Sequence, residues 1–130
     1  MKPYYQDKWV TIYHGDCREI LPELPDGNID LFYTNPPFGI TNAEWDRPLN
    51  WTALWLPIWR VLKENASVVV HASMPFNYDL VSTQRQCFKY EYIWEKNIAT
   101  GFFIAGNQPL RKHENICVFY KFPFTHNGRG

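Results

Sequence analysis

A chain of 130 residues, 45% of them hydrophobic and 18% aromatic, is one domain with enough apolar side chain for a real core. Its 13 Lys and Arg balance 13 Asp and Glu, which excludes a polycation that coats nucleic acid without discrimination. No stretch nears the roughly 20 apolar residues of a membrane span, and no basic start leads into a long apolar run, so the expectation is a cytoplasmic protein with no membrane partner.

Taken in order, Trp9-Val10-Thr11-Ile12-Tyr13 is β-prone and ends at His14-Gly15-Asp16, predicting a short strand. A helix follows it. Asp16 and Glu19 stand at capping-box spacing, and Ile20, Leu21 and Leu24 supply an apolar face before Pro25-Asp26-Gly27 turns the chain. Ile29–Thr34 has almost no polar alternation after Asp30, the pattern of a central strand covered on both faces. It must stop at Asn35-Pro36-Pro37, because neither proline has an N–H to donate and each fixes φ near −65°.

The loop from Ile40 to Asn50 is long enough to close over a site, and its Trp45 reads either as an aromatic folded onto the core or as a substrate contact. Beyond the Asn50 cap, Trp51, Leu54, Trp55, Ile58, Val61 and Leu62 fall on one helical face, so the tryptophans belong to the core. Pro57 inside that run predicts a kink or a late start. Residues 66–71 read as a buried strand, Pro75 opens a helix to about Gln86, and 90–96 and 115–121 are the last strands. Cys17, Cys87 and Cys117 are odd in number and widely spaced, which predicts reduced, buried thiols; the four histidines are too scattered for a metal site.

Charge is unevenly spread. Residues 1–80 carry 6 Lys and Arg against 10 Asp and Glu, whereas residues 81–130 carry 7 against 3. The basic half could face phosphates or be ordinary solvated surface. Within it, Arg111, Lys112 and His113 beside Asn107 and Gln108 read as phosphate or base contacts, or else as an exposed turn with an Arg–Glu pair.

The stretch Thr34-Asn35-Pro36-Pro37-Phe38-Gly39 carries the chemistry. An exocyclic amino nitrogen on a nucleobase is a poor nucleophile because its lone pair is delocalised into the ring. Two fixed acceptors that take both amino hydrogens would pull the nitrogen toward tetrahedral geometry and free that pair. The Asn35 side-chain oxygen and the Pro36 carbonyl suit that task, and Phe38 offers a flat face to a base drawn out of its stack. Read structurally, the same residues make a rigid strand-to-loop turn.

On these residues the chain resembles the amino-methylating DNA methyltransferases of bacteria and phages, whose signature is Asp, Asn or Ser followed by Pro-Pro and an aromatic. The segment from Trp94-Glu95-Lys96 through Arg111-Lys112-His113-Glu114 to Val118-Phe119-Tyr120-Lys121 is similar to what their adenine-specific members carry between their last two strands. The resemblance implies an α/β fold, a three-layer, open and mostly parallel Rossmann-like sheet with an antiparallel last strand. It implies S-adenosyl-L-methionine as cofactor and double-stranded DNA with a flipped adenine as partner, within restriction-modification chemistry. Catalysis falls to Asn35, Pro36, Pro37 and Phe38, donor binding to Gly15, Asp16 and Thr34, and nucleic-acid contact to Asn107, Arg111, Lys112 and His113. Asp16 thus has a second role beside its cap.

Asn first and Phe last lean toward adenine N6, since cytosine-N4 relatives more often place Ser first and Tyr last. The alternatives are transfer to cytosine N4, RNA or a protein amide, and an inactive remnant that binds nucleic acid or a partner. In relatives with this motif near the N-terminus, the glycine-rich donor loop comes later in the chain. Here the only glycine-containing tail is 126–130, so residues 1–130 are expected to form the first, base-binding half of the catalytic domain. Ile29–Thr34 would then have an open edge, to be covered by the N-terminal strand, a second copy or a complementary chain.

Overall fold

The computed structural model describes residues 1–122; the tail at 126–130 lies outside the described residues. Two short strands, β1 (Tyr5–Gln6) and β2 (Thr11–Ile12), form an antiparallel hairpin of their own. Its turn is tied by Asp7, whose Oδ1 accepts from the N–H groups of Trp9 and Val10, both at 2.7 Å. The predicted Trp9–Tyr13 strand is therefore shorter than expected, and it stands apart from the main sheet rather than covering Ile29–Thr34.

Asp16 does cap a helix, accepting from the Arg18 N–H at 2.9 Å, but α1 spans only Cys17–Ile20 before a 3₁₀ turn at Leu21–Glu23. Pro22 accounts for this, since it has no N–H for the Arg18 carbonyl that an α-helix would pair with it. Arg60 fastens the segment down by donating to the carbonyls of Leu21 (2.8 Å) and Leu24 (2.9 Å) and pairing with Asp26.

Among the described residues the main sheet has four strands. In spatial order they are β3 (Ile29–Thr34), β4 (Leu62–Ala72), β6 (Arg111–Tyr120) and β5 (Phe88–Thr100). Only β3 with β4 is parallel, and β4 with β6 and β5 with β6 are antiparallel. The sheet is thus mixed, not mostly parallel. The cause is the β5–β6 hairpin, which extends through the stretch expected as a turn at Arg111–His113; those residues are paired strand.

One face is closed by α2 (Trp51–Val61) and α3 (Phe76–Thr83). Cross-strand rows Phe32–Val68–Phe119 and Thr34–Val70–Cys117 lie under them, and Trp51, Leu54, Trp55, Ile58, Val61 and Leu80 complete the buried core. Every position of the predicted helical face is buried, and Asn50 accepts from the Ala53 N–H at 3.2 Å as its cap. Pro57 sits inside α2 without delaying its start, and α3 stops at Thr83, short of Gln86.

The opposite face has no described helix over it. Leu31, Tyr33, Tyr92 and Trp94 on it remain 45–59% exposed. β3 is an edge strand, so the expectation that Ile29–Thr34 is central and covered on both faces is corrected, and the three-layer architecture reduces to two layers among the described residues. An apolar edge with an apolar face beside it favours association. Light scattering over a concentration series is expected to show a mass rising above that of one chain, whereas a fixed single-chain mass would remove pairing between copies.

Cys117 is fully buried and Cys87 partly so, but Cys17 is exposed, against expectation; all three are free. Burial pushes the Cys117 thiol up to about 12, so it stays protonated and inert. No helix among the described residues is long and apolar enough to cross a membrane.

Candidate active site

At the carboxyl end of β3 the chain opens a cleft of about 630 Å³. Asn35, Pro36, Pro37 and Phe38 line one side and the β5–β6 hairpin supplies Lys96, Thr100, Arg111, His113 and Glu114 from the other. Open α/β sheets place ligands at this end of their strands. Pro36 is buried and Asn35 exposed. Among the described residues, neither the Asn35 side chain nor the Pro36 carbonyl has a hydrogen-bond partner. Phe38 stacks on the buried Phe76, with centroids 5.3 Å apart and planes at 21°, which fixes the ring while part of it still lines the cleft.

The loop after the motif is held by a residue that the sequence did not single out. Asp46, 3% exposed, accepts from the N–H groups of Gly39 (2.8 Å), Ile40 (2.9 Å) and Thr41 (2.7 Å) and from the Thr41 hydroxyl (2.7 Å). Gly39 is required here, because its φ is +72° and a Cβ on it would come within 2.7 Å of Pro48 Cδ. Trp45, 75% exposed, lines the cleft rather than folding into the core.

The Gly39 N–H, followed by the Thr41 hydroxyl, holds the Asp46 carboxyl below the usual aspartate range against the opposing effect of burial. Because the folded-state value is depressed, the stabilisation is complete above the unfolded value of about 3.9 and is lost as pH falls through the lower folded value. The amide resonances of Gly39, Ile40 and Thr41 are therefore expected to hold steady from neutrality to about pH 4 and to move only below it. Asp46→Asn, which turns an NH₂ toward these donors, should move the same resonances at neutral pH; unmoved resonances would remove Asp46 from the loop's support.

Behind the cleft lies a polar chain. Lys96 pairs with Glu114 Oε2, Glu114 Oε1 is 3.9 Å from His71 Nδ1, and His71 Nε2 bonds the Tyr33 hydroxyl. Glu114, Lys96 and Asp46 escaped the sequence reading because their partners depend on hairpin register and loop closure. Arg111 donates to Ser73 Oγ (2.9 Å) and the Met74 carbonyl (2.8 Å), pinning the hairpin to the β4–α3 turn, so the expected Arg–Glu pair is not formed there. Lys112 instead pairs with Glu95 at 3.3 Å and does not line the cleft, and Asn107 lies in the exposed hairpin tip. Arg111 and His113 are thus brought to the motif, and Asn107 and Lys112 are not.

Gly15 and Asp16 line a different depression of about 280 Å³ with Tyr13, His14, Glu19 and Glu23. Arg18 holds the Asp16 carboxyl down at about 2, through side-chain hydrogen bonds first and its N–H second. Thr34 ends β3 opposite Val70 and lines neither hollow. No group of His, Cys, Asp and Glu among the described residues could hold a metal ion.

No family model matches the chain. It is similar to the type II methyltransferase M.BamHI of Bacillus amyloliquefaciens, 30% identical over 82 aligned residues that cover 55% of this chain and 19% of that protein. The PvuII DNA methyltransferase (cytosine-N4-specific) superposes at a TM-score of 0.69 with 19% identity, over 93% of this chain and 52% of that one. This chain is thus distantly similar in sequence to type II methyltransferases. A second structure of the same fold, the M1.HpyAVI–SAM complex, aligns at a TM-score of 0.61 and 20% identity over 91% of this chain and 60% of that one. The chain spans well under half the length of M.BamHI and between half and two thirds of these two solved chains.

Proposed function

We propose that residues 1–130 form the base-binding, catalytic-motif half of a DNA methyltransferase that acts on the N6 amino group of a flipped adenine. The observation that carries this reading is the pair of acceptors, Asn35 and the Pro36 carbonyl, that have no partner among the described residues and line the cleft together with Phe38. Asn first and Phe last favour adenine N6 over cytosine N4. The two acceptors take the amino hydrogens, the nitrogen becomes pyramidal and its lone pair is freed for the methyl group. The nitrogen then loses one proton to water, which reaches the exposed Asn35.

The donor in this reading is S-adenosyl-L-methionine, which when bound would supply an electrophilic methyl group by breaking its S–CH₃ bond and leave as the neutral thioether. Glu19 and Glu23 offer carboxylates suited to the hydroxyls of a nucleoside, beside Gly15 and an Asp16 carboxylate that is already paired with Arg18. They hold one part of the donor only. The open edge of β3 and the bare face beside it are where a second copy or a complementary chain would complete the site.

A substitution series at Phe38 tests the reading. If the ring stacks on the base, Phe38→Ala weakens DNA binding by roughly 1–3 kcal/mol, while Phe38→Tyr and Phe38→Trp keep the flat face and most of the affinity. Similar losses in all three would assign Phe38 to packing on Phe76 alone.

A further inference from the structure

Beyond the cleft, the tip of the β5–β6 hairpin is built in a way that neither the fold nor the motif requires. Phe103 is 100% exposed, Phe102 and Ile98 are each 79% exposed, and Ile104 and Leu110 are 45% exposed. This is not a slack loop. Gly101 takes φ +88°, and the turn is closed by hydrogen bonds from Ile104 N–H to the Gly101 carbonyl (3.2 Å), Ala105 to Phe102 (3.2 Å) and Asn107 to Ile104 (3.0 Å). Phe102 and Phe103 meet edge to face with centroids 6.1 Å apart. Two large aromatics are thus presented to water on a preorganised support.

The tip's position gives it a partner. Thr100 and Arg111 are the last cross-strand pair before the tip, and both line the cleft that holds Asn35. Between Lys96 and His113 there is no carboxylate, and the only formal charges from 97 to 112 are Arg111 and Lys112, so phosphates meet no repulsion there. Drawing a base out of a duplex leaves an unstacked gap, and apolar side chains inserted between base steps can fill such a gap.

We propose that the Phe102–Phe103 tip is a wedge for duplex DNA that occupies the gap left by the extruded base. This rests on the reading of the cleft as the site that receives that base. The wedge acts on the vacated stack and not on the base itself, so it recognises a gap even where there is no base to extrude.

A duplex with one abasic site is therefore the probe, compared by fluorescence anisotropy at low salt with the same duplex intact. The 130-residue chain is expected to bind the abasic duplex more tightly. Phe103→Ala should lower that affinity about tenfold or more and erase the preference, while Phe103→Trp keeps it. Because the side chain is fully exposed, the substitution leaves the core untouched. Unchanged binding of the abasic duplex by Phe103→Ala overturns the wedge while the cleft reading stands. Failure to bind either duplex overturns both. A variant that alters only the sedimentation of the free protein assigns the tip to contact between copies and overturns the wedge.

Discussion

Asn35→Ala is expected to slow methyl transfer by about 10²–10³-fold, equivalent to roughly 2.7–4 kcal/mol in the barrier, the range for losing one preorganised partner of the reacting group. DNA affinity should barely change, because in the proposed function the Asn35 side chain acts on the amino nitrogen and not on phosphates. Asn35→Asp keeps an acceptor at the same place and should retain activity. The comparison is made by incorporation of labelled methyl groups under saturating DNA. Near-normal turnover in the alanine variant would remove Asn35 from the chemistry.

Trp55→Ala is expected to be the most damaging change to the fold, costing about 3–5 kcal/mol, which rivals the whole stability of a marginal domain. Trp55 is 3% exposed and its ring lies 4.8 Å from Phe119, 5.5 Å from Trp51 and 5.8 Å from Trp59. Its indole N–H also donates to Thr83 Oγ1 at 2.8 Å, tying α2 to α3. Truncation opens a cavity where both helices meet the sheet. A urea denaturation midpoint reads the loss, and a change of about 0.5 kcal/mol or less, the surface range, would place Trp55 outside the core.

The helix over Trp51–Val61 was legible because a single buried face imposes its period on the sequence, and the end of β3 at Thr34 was legible because two prolines cannot continue a strand ladder. The edge position of β3 was not. A run such as Ile29–Thr34 has the same composition whether or not helices cover its second face, and the exposure of Leu31 and Tyr33 depends on what lies across the sheet. Asp46 was hidden for another reason. Its work is to collect N–H groups five to seven residues upstream, and only the folded loop brings them together. The pairing of Lys96 with Glu114 likewise follows from a hairpin whose length the sequence understated.

The N-terminal hairpin shows the limit of local reading. Trp9–Tyr13 has strand propensity throughout, yet only Thr11 and Ile12 pair, because Asp7 captures the N–H groups of Trp9 and Val10 for a turn. Propensity was correct about the conformation and silent about the partner.

In the proposed function, the cleft beside Asn35 presents the N6 amino group of adenine for methylation. The most direct measurement is mass spectrometry of nucleosides digested from the DNA of a methylase-free host in which the protein is expressed from its complete reading frame. N6-methyladenine is expected with the natural sequence and none with Asn35→Ala; DNA without any N6-methyladenine, or with the same amount from both proteins, would contradict the proposed function.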